Sequence, residues 1–426
     1  MSGIEDHPQR FTLANELHAR PFPEIAAPGH AAFLAIKQHR DAAGRDRDAD
    51  RAHLTSLLDR FGAQHPAPEA THYFGDLGPF RLKWEQHTEF VSYTAFAPGV
   101  AKRPFDKAAF EIFPADWLAE APGARLTSAL IRVEHMAEAD AINAKLEAWF
   151  VPTSLAAARI VDGAAVMAGD FRIDSGGHMR FGVFIDSAMG PRRTGRIVQR
   201  ISEIETYKAM AMLGLLRVRE LNALLGGVDN RLEALTGAMA AQSEGAEQTL
   251  GTLLEISAEL ENLSASSSFR FGATRAYAKL VDERIRVLRE ERFLGRQTFG
   301  EFMARRFDPS MRTVAASEAR LGTMSERAAR AANLLRTRVD VERSAQNQAL
   351  LASMDRRAAL QLRLQRTVEG LSVVAISYYA VNLAGYLLYP VARALDMSKP
   401  MLTAVLTPVV ILAVFLAVRR IRRHMD

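Results

Sequence analysis

Residues 371–388 read LSVVAISYYAVNLAGYLL, and residues 401–418 read MLTAVLTPVVILAVFLAV. Neither run holds a charged residue, and each is 18 residues long. Roughly 20 apolar residues of helix cross a hydrocarbon core of about 30 Å, so both runs predict transmembrane helices. The alternative is a pair of helices buried in a protein core. Two such runs lying side by side in the chain favour the membrane. Arg356, Arg357, Arg363 and Arg366 precede the first run, and Arg419, Arg420, Arg422 and Arg423 follow the second. The connecting loop carries only Arg393 and Lys399, beside Asp396. Positive residues stay on the cytoplasmic side, so the loop is expected outside and both termini inside. Tyr378, Tyr379, Tyr386 and Tyr389 suit the interface. Within the spans, Asn382 needs a hydrogen-bond partner, and Ala380, Ala384 and Gly385 offer a small-residue surface. Asn382 and Gly385 are thus the candidate pore or helix-contact residues. A hairpin packed on itself and an oligomeric bundle both fit.

Upstream of the first span, proline is absent from residue 310 to residue 389. Asp308-Pro309 reads as a cap and first turn. A helix from there into the membrane would have roughly 80 residues and a length of about 120 Å, a stalk. Leu321, Met324, Ala328, Ala331 and Leu335 follow the 3-4-3-4 spacing of a coiled coil, but Arg338, Glu342 and Gln346 then break the pattern. Packing of this helix on its own domain is the alternative. Between residues 197 and 307, apolar residues recur at three and four. Ile197, Ile201, Ile204, Met212, Leu215 and Leu216 form one stripe, and residues 231–263 and 273–307 predict two further helices. The serine-rich segment 264–268 is expected as the turn between them.

Residues 1–190 read as mixed α/β. Strands are expected at 30–37, 71–76, 80–85, 90–96, 126–133, 153–161, 164–173 and 178–186, with helices at 49–61 and 137–150. Asp162-Gly163 between apolar runs signals a hairpin. The order strands, helix, strands predicts a largely antiparallel or mixed sheet. The fold class is therefore α+β: an α/β domain at 1–190, a helical bundle at 191–307, and a stalk helix at 308–370. Spans follow at 371–388 and 401–418, with a basic tail at 419–426.

The chain has 426 residues, 48% hydrophobic and 24% charged, with a net charge of +5 and a pI of about 9.5. A packed core is within reach and global disorder is not expected. There are no cysteines, which removes disulfides, thiol nucleophiles and thiolate metal sites. Residues 1–10 are polar, so no signal peptide is expected. Phosphate-loop, nucleophile-elbow and H-E-x-x-H patterns do not occur. The arginines of residues 270–366 alternate with Glu and Asp rather than with aromatics, so no nucleic-acid partner is expected.

Two stretches concentrate chemistry. Glu16, His18 and Arg20 alternate and would share one side of an extended segment, to bind an anion or metal or to form an interface. In Trp84-Glu85-Gln86-His87-Thr88-Glu89-Phe90, a strand would place Glu85, His87 and Glu89 on one face and Trp84 and Phe90 on the other. Two carboxylates flanking an imidazole can ligate a divalent cation or serve a general base. An exposed charged face over an apolar one is the plainer reading. No cofactor other than such a cation is suggested.

His7-Pro8 with residues 16–21 (ELHARP), and residues 82–90 (LKWEQHTEF), resemble the signatures of a bacterial family of membrane-anchored proteins known as domain of unknown function 3422. The resemblance covers nearly the whole chain and implies no activity. The architecture is also similar to CorA-type magnesium channels, whose first span ends in Gly-Met-Asn. The nearest match here, Tyr379-Ala380-Val381-Asn382, lacks the glycine and methionine and sits mid-span. The expected function is an oligomeric, non-enzymatic scaffold or sensor on the inner membrane, with membrane lipid as a partner. A CorA-like cation transporter and a membrane-tethered enzyme are the alternatives.

Overall fold

The computed structural model describes residues 4–16, 23–39, 44–241, 245–395 and 397–422. The chain forms two compact units, residues 1–241 with 252–330, and residues 242–251 with 331–426.

The first unit is built on one nine-stranded sheet. After helix α1 (Arg10–Glu16) come β1 (Gly29–Lys37), α2 (Arg47–Arg60), β2 (His72–Asp76), β3 (Arg81–Gln86) and β4 (Val91–Pro98). A short 3-10 turn, α3 (Ala115–Ala119), β5 (Ala124–His135) and α4 (Ala139–Trp149) follow. Then come β6 (Ala156–Ile160), β7 (Ala165–Gly169) and β8 (Met179–Ile185). The spatial order is β2-β3-β4-β1-β5-β8-β7-β6-β9, where β9 is the pair Glu291–Arg292. Neighbours run antiparallel except β5 with β8, so the sheet is mixed.

Both faces of the sheet are covered, which is why β1, β7 and β8 are apolar at successive positions. On β1, Ala31, Phe33 and Ala35 enter one core, and Ala32, Leu34 and Ile36 enter the other. The first face packs on α5 (Pro191–Ala241), the later part of α6 (Ala246–Leu288) and α7 (Phe299–Arg306), through Ile197, Ile201, Val281, Leu288 and Phe299. The opposite face packs on α2 and α3 through Leu54, Leu57 and Trp117, and on α4 through Ile142 and Leu146. The 161–164 turn between β6 and β7 realises the Asp-Gly hairpin, with Asp162 and Gly163 at φ of 61° and 80°.

The helices differ from expectation in three places. One is the helix expected at 273–307: α6 ends at Leu288, β9 follows at Glu291–Arg292, and Thr298 caps a separate helix, α7. Residues 264–268 are not a turn; they lie inside α6. Ser266 and Ser267 accept hydrogen bonds from Arg217 on α5, at 2.9 and 3.1 Å. Small hydroxyl side chains thus serve the contact between the two helices. The break falls instead between α5 and α6. The α5 stripe continues through Ala211, Gly214 and Val218, leaving Leu216 51% exposed.

Helix α8 runs from Asp308 to Ala394, and α9 from Lys399 to Arg422. Leu321, Met324, Ala328, Ala331 and Leu335 are all buried within the single chain. In the first unit, Arg320 and Arg327 pair with Asp229 of α5, and Arg275 of α6 pairs with Glu318. Within the first unit, the 3-4 spacing of Leu321, Met324 and Ala328 is therefore satisfied by packing inside that unit. In the second unit the side chains of residues 340–368 are exposed. Both α8 and α9 contain stretches long and apolar enough to cross a membrane. Lys399 lies over the ring of Tyr389 at 5.2 Å, across the connection between them.

Candidate functional site

At the β3–β4 end of the sheet the inner face turns polar. Leu82 and Trp84 point into the opposite core, so Lys83 and Glu85 face α5. On the antiparallel neighbour, Tyr93 and Ala95 join Trp84, so Ser92 and Thr94 face α5 too, opposite Glu85 and Lys83 in register. From the sequence this alternation reads as a solvated charged face. Helix α5 covers it, presenting Gln199, Ser202, Glu203 and Thr206 at i, i+3, i+4 and i+7, one side of a helix. Arg284 of α6 and His87 complete the walls of a cavity of about 280 Å³.

The cavity is internally paired. Lys83 Nζ lies 3.0 Å from a Glu85 oxygen, with both side chains largely buried. Arg284 pairs with Glu203, which accepts a 2.7 Å hydrogen bond from Gln199 Nε2. Burial opposes the charge on Arg284, but Glu203 beside it holds the guanidinium above its ordinary range. Gln199 Oε1 is buried and has no hydrogen-bond partner among the described residues. A buried acceptor left this way costs about 1–3 kcal/mol unless a ligand or water fills the place.

The Trp-Glu-Gln-His-Thr-Glu-Phe segment is a hairpin, not one strand. His87 N–H donates to Phe90 O at 2.9 Å, so the chain reverses over Thr88-Glu89. Phe90 therefore stacks on His87, at 4.2 Å, rather than lying beside Trp84. Glu85 and His87 do share the cavity, as alternation requires. Glu89 does not: it sits in the reversal, 2% exposed, and pairs with Arg270 of α6. Arg45 clamps the turn, donating to His87 O at 2.6 Å and Phe90 O at 3.0 Å while paired with Asp50 at 2.8 Å. Tyr277 of α6 stacks on Tyr207, with centroids 5.8 Å apart. Burial, and then the Glu89 carboxylate, push the Tyr277 hydroxyl well above its ordinary range. Among the described residues no group of three or more His, Asp or Glu side chains is arranged to hold a metal ion.

Of the other sequence candidates, Glu16 closes helix α1 instead of lying on an extended strand, and His18 and Arg20 lie outside the described residues. Asn382 is on α8, where its amide donates to Tyr378 O at 3.0 Å, four residues back. A Cβ added at Gly385 would meet nothing within 4 Å. The residues that sequence reading missed are Gln199, Glu203, Arg284, Arg270 and Tyr277. Their one sequence signal is the polar i, i+3, i+4, i+7 set on α5, running beside the Ile197–Ile201–Ile204 stripe.

These features define an α+β protein with a lined polar cavity in its sheet unit and two candidate membrane spans. The chain matches the family described as "Protein of unknown function (DUF3422)" over residues 5–425, and it belongs to that family. No curated protein and no solved structure matches, so the similarity to CorA-type channels finds no support there.

Proposed function

We propose that this protein is a membrane-anchored sensor or scaffold whose sheet unit binds a small polar molecule in the cavity between β3–β4 and α5. The two ion pairs that line this polar cavity, Lys83–Glu85 and Arg284–Glu203, carry this reading. A site of this kind offers a carboxylate for a cationic group and a guanidinium for an anionic one. A volume near 280 Å³ lies at the small end of ligand sites, which run from about 300 Å³ upward, and so favours a compact metabolite such as an amino acid. The reading needs no covalent chemistry. The test is thermal unfolding of the detergent-solubilised protein against amino acids, diamines and dicarboxylates, with hits measured by calorimetry. A ligand whose binding is lost in both Gln199→Leu and Glu85→Gln supports the proposal. If no compound binds, or if binding survives both changes, the cavity is not the site.

We further propose the membrane arrangement that the arginine bias suggests: both spans inserted, both termini cytoplasmic, and residues near 396 outside. The proposed domain divisions fall at residues 190, 307 and 370. A homo-oligomer is part of this proposal, assembled through the spans and the exposed part of α8. The transporter alternative draws on architecture alone; the Asn382 amide donates to Tyr378 O within its own helix. The enzyme alternative loses Glu89 from its proposed group.

A further inference from the structure

A second cavity, of about 430 Å³, lies where the start of α5 meets the end of α6 and the β6–β7 turn. Five arginines line it: Arg193, Arg196 and Arg200 from α5, with Arg286 and Arg289 from the other helix end. The spacing 193, 196, 200 places three guanidinium groups on one face of α5. Asp162 pairs with Arg289 at 2.6 Å and Asp282 pairs with Arg286, both at the edge, and Arg196 is engaged as well. Arg193 and Arg200 have no ion-pair partner among the described residues. Arg192, next in the chain, is taken by Glu24 at 2.6 Å.

The concentration of like charge is held in place by the fold. Val161 N–H donates to Leu288 O at 2.8 Å, which fastens the β6–β7 turn to the end of α6. Val161 itself sits at a φ of 55°, the left-handed region that a β-branched residue rarely enters. Arg200 is partly buried, and burial, followed by Arg196 and more weakly Arg284 and Arg289, works against its charge, with Glu203 opposing them. Arginine nevertheless stays protonated. Several guanidinium groups around one space repel each other unless an anion sits among them.

We infer that this arginine-lined cavity binds a phosphate group carrying at least two negative charges. The guanidinium fork matches phosphate oxygens two at a time, and several forks around one volume suit phosphate or diphosphate better than a single carboxylate. The remaining wall is aliphatic, Val161, Ile197 and Val287, with no ring for a base to stack on. The phosphate itself is therefore the recognised part. A soluble phosphometabolite and a phospholipid headgroup share that chemistry.

The probe is inorganic pyrophosphate, titrated by calorimetry into the full-length protein in a neutral detergent. Wild type is expected to bind, and Arg200→Gln to weaken binding about tenfold or more, the effect of losing one charge-assisted contact. Arg275→Gln, an exposed arginine of α6 outside the cavity, serves as the charge-matched control and is expected to change little. If Arg200→Gln does not fold, Arg193→Gln at the exposed edge takes its place. Nanodiscs distinguish the sources: competition from phosphatidic acid assigns a lipid headgroup, and unchanged pyrophosphate affinity assigns a soluble phosphate. The inference is overturned if wild type does not bind pyrophosphate, or if Arg275→Gln weakens binding as much as Arg200→Gln.

Discussion

Replacing Arg270 with alanine tests what the Thr88-Glu89 reversal does. Glu89 is 2% exposed and its pairing partner is Arg270 of α6, whose side chain is 16% exposed. The change removes the partner and leaves a carboxylate in the interior. Breaking a buried pair this way costs about 3–5 kcal/mol. The partial exposure of Arg270 and the nearby Tyr277 hydroxyl point to the low end, about 3 kcal/mol. With a urea slope of about 3 kcal/mol per molar for a unit of this size, the midpoint should fall by about 1 M. The assay is favourable because all three tryptophans, Trp84, Trp117 and Trp149, lie in the sheet unit, so their fluorescence reports its unfolding alone. Glu89→Gln combined with Arg270→Ala should recover much of the loss, because an amide is less costly to bury than an unpaired charge. If Arg270→Ala unfolds at the wild-type midpoint, or if the double variant is less stable than the single, then the pair does not fasten this hairpin to α6.

Gly214 of α5 faces Thr274 of α6, and a Cβ there would lie 2.3 Å from Thr274 Oγ1. Gly214→Ala should lower the urea midpoint, because overpacking of about 1–3 kcal/mol exceeds the helix-propensity gain of about 1 kcal/mol, and Thr274→Ala should restore it. His53 and His178 are both held below the ordinary 6.5 by burial. Their neutral forms are favoured when folded, so stability should be full above about pH 6.5 and fall as the pH drops below it, which thermal unfolding across that range reads directly. His53→Gln should flatten part of that slope. Because the chain has no cysteine, Ser398→Cys and Ser310→Cys report topology without background. A membrane-impermeant maleimide should label Ser398→Cys in intact cells and Ser310→Cys only after permeabilisation; the reverse would invert the proposed orientation.

The α+β class, most strands and the two apolar helices were legible because each rests on local periodicity and turn chemistry. The strand at 30–37, the Asp162-Gly163 hairpin and the uncharged runs at 371–388 and 401–418 carry their signal within a few residues. The serine segment 264–268 misled for a physical reason: serine favours turns in isolation, but here its hydroxyls accept from Arg217 across a helix pair. The 3-4 spacing of residues 321–335 was also real, yet spacing does not say whether the apolar seam meets another copy or the chain itself.

The cavity shows the division most plainly. Alternation along β3 and β4 placed Lys83, Glu85, Ser92 and Thr94 on one face, and that much follows from the period of a strand. Whether that face meets water or another element is a long-range fact. Packing of α5 and α6 over it, about 100 residues and more further along the chain, turned a solvated surface into the wall of a cavity. The same packing brought Gln199, Glu203 and Arg284 to it. The hairpin at Thr88-Glu89 sent Glu89 away from His87 and into the contact with Arg270. Local periodicity sets which side a residue is on; only tertiary packing decides what lies opposite.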